Sequence, residues 1–189
     1  MRQDRNDRRS QRTRQLLSHG LIELLEIKRY NSITVQEIAD RANVGRSTFY
    51  AHFTDKDDLF VAGVRRMVHG LDKTGPAQPL FPSLALLHHV SANYDLHSML
   101  VKGGGLALFL NTLQEELTVI FTERLTARVP PSATPSVPLP LLAAMVTSML
   151  ITAVRSWLDS KLSEPAEAID RAFNIAADGA IRAGLRPLG

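Results

Sequence analysis

SITVQEIADRANVGRSTFYAHFTDKDDL, residues Ser32 to Leu59, is the stretch that decides the fold. It predicts two short helices separated by a glycine turn. Thr34 and Glu37 have capping-box spacing, in which the threonine hydroxyl accepts an amide three residues on and the glutamate accepts the cap amide. The first of these helices therefore begins near Val35, and the turn follows at 43–45, where Gly45 tolerates backbone geometry that other residues resist. The inner face of the helix that begins near Val35 is predicted to comprise Val35, Ile38, Ala39 and Ala42.

The segment after the turn predicts a further helix from Arg46 to about Phe53. Phe49 and Phe53 supply its inner side, together with Val44 before it. The outward positions are small or hydrogen-bonding, namely Arg46, Ser47, Thr48, Tyr50, Ala51 and His52. A packing surface would not carry so many polar groups. We therefore interpret the pair as a helix-turn-helix, whose second helix lies in the major groove of DNA while the first braces the phosphates.

Composition describes a soluble chain that can build its own core. Of 189 residues, 44% are hydrophobic, and there is no cysteine, which excludes disulfides and thiolate chemistry. The first 14 residues lack an apolar stretch and do not resemble a signal peptide. The longest uncharged run, 129–154, begins with prolines and leaves about 16 helical positions, short of the roughly 20 that span a bilayer. We expect a cytoplasmic protein.

The positive charge is concentrated near the start of the chain. The net charge is +3, and residues 1–73 hold 14 Lys+Arg against 10 Asp+Glu, whereas the remainder holds 8 against 9. Six arginines fall within the first 14 residues. Such a segment can be a solvated arm and can also be attracted to phosphate, because the two interpretations are compatible.

The whole chain predicts an all-α fold of about nine helices, because apolar residues recur at three- and four-residue spacing and no strand-like alternation is present. Glycines and prolines separate the helices. The expected helices begin near Arg8, Val35, Arg46, Thr54, Ser83, Asp95, Leu106, Leu141 and Pro165. The predicted domains are an N-terminal arm with the helix-turn-helix at 1–54, a connecting helix at 55–74, a linker at 75–82 and a helical regulatory and dimerisation domain at 83–189.

Several motifs carry a resemblance to a known family. TVQEIA at 34–39, ANVG at 42–45, STFYAHF at 47–53 and KDDLF at 56–60 resemble the DNA-binding domain of the TetR/AcrR family of bacterial transcriptional regulators. The resemblance covers residues 10 to 60 closely and the remainder only in its helical architecture. It implies an N-terminal three-helix DNA-binding domain followed by a C-terminal helical domain for ligand binding and dimerisation.

The resemblance also implies a set of DNA-binding residues. Arg46 would read a guanine edge, since its fork matches two acceptors, although a phosphate contact is the alternative. Tyr50 would bind phosphate, and Lys56 would grip the backbone unless it only balances the neighbouring acids. The acids at 55, 57 and 58 are expected to cap the following helix. The predicted set is Thr34, Gly45, Arg46, Ser47, Thr48, Tyr50, His52 and Lys56.

The regulatory half is expected to pair two chains and to hold an effector. The dimer residues are predicted on helices eight and nine as Ala144, Trp157, Ala172, Phe173, Ala176 and Ala180, with monomer core as the alternative. By the resemblance, a largely apolar effector pocket would be lined by Tyr94, His97, Met99, Leu106, Phe109, Leu110, Leu113, Met145 and Met149; ordinary core is again the alternative.

Metal, cofactor and enzyme chemistry find no support in the sequence. His88 and His89 diverge by about 100° on a helix, and no acid or cysteine completes a site with His97. Gly103-Gly104-Gly105 lacks the lysine and the strand of a phosphate-binding loop. We expect no metal, no cofactor and no catalytic residue.

The expected function is that of a repressor that binds a palindromic DNA operator as a homodimer and is released by a small, largely apolar effector. Two alternatives remain. The chain is a DNA-binding protein without ligand control, or a helical small-molecule-binding protein whose helix-turn-helix is coincidental.

Overall fold

The computed structural model describes residues 2–71, 80–130 and 134–186, with side chains from residue 8 onward. All regular structure in these ranges is helical, which confirms the all-α prediction. The elements are α1 (Arg2–Leu25), a 3-10 turn (Tyr30–Ser32), α2 (Val35–Arg41), α3 (Arg46–Tyr50), α4 (Lys56–Leu71), α5 (Ser83–Ala92), α6 (Tyr94–Gly103), α7 (Leu106–Arg128), α8 (Leu139–Asp159) and α9 (Ala166–Leu185).

Several boundaries differ from the predicted ones, among them those of α1, α3 and α8. α1 begins at Arg2 rather than Arg8, so the arginine-rich arm is helical. α3 ends at Tyr50 instead of Phe53. α8 begins at Leu139 and carries Pro140 in its first turn, where the missing amide costs no hydrogen bond.

The first of two compact units comprises Met1–Arg66 and Tyr94–Phe109. Leu17, Ile38 and Phe49 are fully buried at its centre. α1 and α2 approach closely at Gly20, where an added Cβ would lie 3.2 Å from the Ile38 carbonyl oxygen. A larger residue would therefore push these helices apart.

Local side chains fix where α2 and α4 begin. The predicted capping box is confirmed, since Thr34 Oγ1 accepts the Glu37 amide at 3.3 Å and Glu37 Oε2 accepts the Thr34 amide at 3.0 Å. At α4, Asp55 Oδ1 accepts the Asp58 amide at 2.8 Å, and Asp58 Oδ2 accepts the Thr54 amide at 3.0 Å. These bonds confirm the expected capping role for Asp55 and Asp58, whereas Asp57 accepts from the Tyr30 hydroxyl.

The glycine run at the end of α6, residues 103–105, packs against the 3-10 turn. An added Cβ at Gly103 would lie 2.8 Å from the Tyr30 nitrogen. Gly104 has a φ of +91°, and its Cβ would overlap the Asn31 amide. The contacts therefore group α6 with the helix-turn-helix. The domain boundary predicted at 75–82 falls largely outside the described residues and stays a prediction.

The second unit comprises Met67–Asn93 and Leu110–Gly189. α9 packs against both α8 and α5. Ser83 Oγ donates to Asp170 at 2.5 Å, and the Trp157 indole donates to the Glu164 carbonyl at 2.8 Å. α8 is long and apolar enough to cross a membrane by length and composition alone, but half of its most apolar window is buried in the protein, as in an ordinary core helix.

Candidate nucleic-acid interface

α3 presents a polar outer face over a fully buried aromatic anchor. Phe49 is completely buried, with its ring centroid 5.5 Å from that of Tyr50 and 6.0 Å from that of Phe53. Arg46, Ser47 and Gly45 are exposed, whereas Thr48 is half-buried. The anchor fixes the orientation of the helix, so that Gly45, Arg46 and Ser47 stay exposed on its outer face.

Arg46 and Tyr50 form an ordered pair on that outer face. They stand four residues apart and therefore share one side of the helix. An Arg46 guanidinium nitrogen donates to the Tyr50 hydroxyl at 3.3 Å, and the guanidinium carbon lies 5.5 Å from the tyrosine ring centroid. A guanidinium has five donors, so this contact orients Arg46 while leaving most of its fork available.

Thr34 stands at the start of α2 in a network centred on Glu37. The Glu37 pKa is lowered to about 2, first by a hydrogen bond from Lys28 and then by the backbone amide and hydroxyl of Thr34. Thr34 itself is exposed. The cap is thus held by a charged carboxylate, and the first amides of α2 lie at an accessible helix start, a position that suits a phosphate.

Lys56 is committed to the 3-10 turn. Its Nζ donates to the Tyr30 carbonyl at 2.8 Å and lies 4.4 Å from the centroid of that tyrosine ring. The Tyr30 hydroxyl donates to Asp57 at 2.5 Å, and its pKa is raised by burial and then by this carboxylate. A phosphate contact by Lys56 stays a prediction. His52, also predicted to contact DNA, is half-buried at the end of α3.

Sequence reasoning missed the role of Tyr30. The available signal in the sequence was a tyrosine within an otherwise polar connection between two helices. Its partners Lys56 and Asp57 stand 26 and 27 residues away, so no local pattern pairs them.

The residues predicted to bind an effector fall into both units, and each group is described within its own. In the first unit, His97 and Phe109 are buried with ring centroids 4.9 Å apart, and Tyr94, Met99 and Leu106 are half-buried. In the second unit, Leu110 and Leu113 are buried, Met149 is half-buried and Met145 is 54% exposed.

A surface groove of about 750 Å³ runs between α8 and α9. It gathers Met145 and Met149 from the predicted effector set and Trp157, Ala172, Phe173 and Ala176 from the predicted dimer set. Trp157 and Phe173 are buried within their own chain, at 3% and 4% exposure, so they form its floor. Ala144 and Ala180 are half-buried on the same two helices.

Two large apolar residues of these helices were missed as candidates for the dimer surface. Leu141 is 53% exposed and Ile175 is 76% exposed. Exposed leucine and isoleucine at helical spacing look like core residues in a sequence. Their exposure appears only once the packing of α8 against α9 is known.

The histidines do not assemble into a metal site among the residues that the structure describes, where no group of three potential ligands lies together. His88 Nε2 is 2.8 Å from Glu167 Oε1, and this contact lowers the Glu167 pKa. Burial lowers the pKa of His89.

Known proteins share both the motif and the fold. The family model for bacterial regulatory proteins of the tetR family matches residues 20–62. An uncharacterised HTH-type transcriptional regulator of Bacillus subtilis (strain 168), YxbF, is 36% identical over 61 residues, which are 32% of this chain and only 16% of that protein. The chain thus spans less than a fifth of this relative.

Solved structures extend the similarity over nearly the whole chain. A TetR transcriptional regulator from Streptococcus agalactiae 2603V is 26% identical, with a TM-score of 0.65 over 91% of this chain and 97% of that one. The dihydroxyacetone kinase operon activator DhaS shares the fold at 14% identity, with a TM-score of 0.59 over 92% and 98% of the two chains.

An all-helical chain with an N-terminal helix-turn-helix and an exposed polar second helix has the architecture of a bacterial transcriptional regulator. The match at residues 20–62 and the shared fold support a bacterial transcriptional regulator that is similar to the TetR family.

Proposed function

We propose that this protein is a transcriptional repressor that reads a palindromic operator with α3. The observation that carries the proposal is the exposed face of α3 above the buried Phe49. Arg46 is oriented by Tyr50 and would read a guanine, for which a guanidinium fork is matched. Ser47 and Thr48 are short donors beside it, and Tyr50 and the start of α2 at Thr34 would bind phosphates on either side.

A homodimer is the second part of the proposal. One module contacts only a few base pairs, so a symmetric pair spanning two half-sites is needed for specificity. The α8–α9 groove supports this, because its alanine walls allow close helix approach and Leu141, Met145 and Ile175 expose apolar surface nearby. Two helices from each chain would form a four-helix interface.

Release by a small apolar effector is the third part. It draws on the buried, largely apolar surroundings of His97 and Phe109 in the first unit. An effector changes operator affinity only if it binds one conformation better than another. The protein would act in the cytoplasm, where operator DNA is accessible.

Selection from random duplex DNA tests the core of the proposal. We expect the wild-type chain to enrich a palindrome with half-sites about 34 Å apart or a multiple of that spacing. Arg46→Ala should lose about 1 to 3 kcal/mol and relax preference at one position of each half-site. Arg182→Ala, which removes an exposed arginine from α9, should change neither. Enrichment of no sequence would contradict DNA reading by this chain.

Two further measurements separate the alternatives. A reporter gene carrying the selected operator should be repressed. Stimulation of the reporter would instead indicate an activator, which is what the name of DhaS, a protein of the same fold, says of that protein. Thermal shifts across a panel of lipophilic compounds should find one that stabilises the chain and lowers operator affinity. Stabilisation without an effect on DNA binding would contradict effector control.

A further inference from the structure

α1 extends well beyond the part of it that is packed. Leu17 is its first fully buried residue in the described segment, and the side chains at 8–16 are all exposed or half-exposed. At 1.5 Å per residue, the helix from Arg8 to Leu17 spans about 14 Å. Residues 8–16 contain four arginines and no acidic residue.

Contacts along α1 and just after its end show where this extension points. Lys28 bonds to Glu37 at the start of α2, Glu23 pairs with Arg41 at its end at 3.4 Å, and Gly20 lies against Ala42. α1 and α2 are therefore antiparallel. Residues that precede Gly20 run past the end of α2 towards the turn at 43–45, from which α3 begins.

The arginines of the extension are not distributed evenly around the helix. At 100° per residue, Arg8, Arg9 and Arg12 fall within about 100° of one another. Arg9 and Arg12 precede Gly20 and Glu23 by eleven residues, close to three helical turns, and so continue the side of α1 that meets α2. Arg14 lies at least about 120° from all three.

Arg14 instead continues the side of α1 that meets α4. That side is marked by Ser18, whose hydroxyl accepts a hydrogen bond from Arg66 at 2.7 Å. The chain therefore provides an internal control, since Arg12 and Arg14 are both exposed arginines on one helix but face different neighbours.

We propose that Arg8, Arg9 and Arg12, here called the basic face of α1, bind phosphates that flank the half-site read by α3. The inference rests on the proposed DNA-binding function. With α3 in a major groove about 12 Å wide, an extension of about 14 Å past the packed part of α1 reaches the backbone that borders the groove. The contact adds affinity and footprint without adding base specificity, because phosphates carry no sequence information.

The test compares wild type, the triple variant R8Q/R9Q/R12Q and the single variants R12Q and R14Q. Glutamine keeps helix propensity close to that of arginine, and circular dichroism checks that each variant folds. Affinity for the selected operator is measured across a series of salt concentrations. Each lost phosphate contact should reduce the log–log salt slope by about 0.9.

Because two subunits bind each operator, the triple variant removes six phosphate contacts, and we expect it to lose about five in salt slope and at least about tenfold in affinity at moderate salt, while selecting the same consensus. R12Q removes two contacts and should lose about two in slope, and R14Q none. Removing the DNA that flanks the half-sites should weaken wild type and leave the triple variant unchanged.

Two outcomes would overturn this inference but not the proposed function. One is an unchanged salt slope in the triple variant with a retained consensus, which would mean that the arm is only solvated. The other is an equal loss of salt slope in R12Q and R14Q. Failure of wild type to select any sequence would overturn the proposed function itself. The measurements therefore distinguish the two failures.

Discussion

At the scale of single residues, Glu37 shows how one carboxylate holds the entry to the helix-turn-helix. It accepts from Lys28, from the Thr34 amide and from the Thr34 hydroxyl at once. The capping box was predictable because its residues are three apart. The Lys28 contact was not, since it joins two helices and depends on how they pack.

The lowered pKa of Glu37 predicts a pH dependence of stability. Its pKa is about 2 in the folded chain against an ordinary 4.5, so the unfolded chain binds a proton first as the pH falls. The contribution is present above about pH 4.5 and is lost as the pH falls towards about 2. Glu37→Gln should lower the urea midpoint at neutral pH and flatten its decline in acid.

The control for this measurement is Glu26→Gln, which removes an exposed carboxylate near the end of α1. It should leave the acid profile close to that of wild type. Identical profiles for wild type and Glu37→Gln would show that the bond to Lys28 does not persist in solution.

At the scale of elements, helix positions followed from apolar periodicity and from prolines, both of which are local. The association of α6 with the helix-turn-helix was not predicted. It depends on close backbone approach at Gly103 and Gly104, and glycines after a helix look like simple termination. The helical arm was also missed, because an arginine-rich segment without apolar residues carries no periodic signal.

Gly104 offers a test of that association. With φ at +91°, an alanine there is strained and its Cβ overlaps the Asn31 amide. Gly104→Ala should therefore cost about 1 to 3 kcal/mol in unfolding free energy. Adding Asn31→Ala should recover the steric part and leave the backbone part. Denaturant titration of both variants measures the split.

Gly63→Ala is the matched control for Gly104→Ala, because an added Cβ there meets nothing within 4 Å. It lies inside α4, where replacing glycine with alanine should stabilise the helix by about 0.5 to 1 kcal/mol. Equal effects at the two positions would contradict the packing described for the 3-10 turn.

At the scale of the whole molecule, the proposed dimer depends on the surface of α8 and α9. Met145 is 54% exposed and lines the groove, whereas Ile27, after α1 in the first unit, is 65% exposed. The apolar composition of both helices was evident from sequence. Which side chains face outward was not, because periodicity alone cannot distinguish a chain's own core from a surface that a second chain covers.

Met145→Asp should therefore dissociate the dimer while leaving the subunit folded. Burying an unpaired carboxylate costs several kcal/mol, so the dimer dissociation constant should rise by at least about thirtyfold, as sedimentation would measure. Ile27→Asp, at an exposed apolar residue of the first unit, should remain dimeric. Dissociation by Ile27→Asp alone would place the interface on another surface.

The packing of α6 and the glycine run onto the 3-10 turn has a consequence for exchanging DNA-binding modules between regulators. A chimera joined after residue 54, or even after residue 66, would leave behind Leu100 and the glycines that cover Tyr30. The transplanted segment would then expose apolar surface beside Lys56. A functional chimera must therefore also include residues 94–109. The DNA-binding module that has to be exchanged is thus made of two segments that are separate in the sequence.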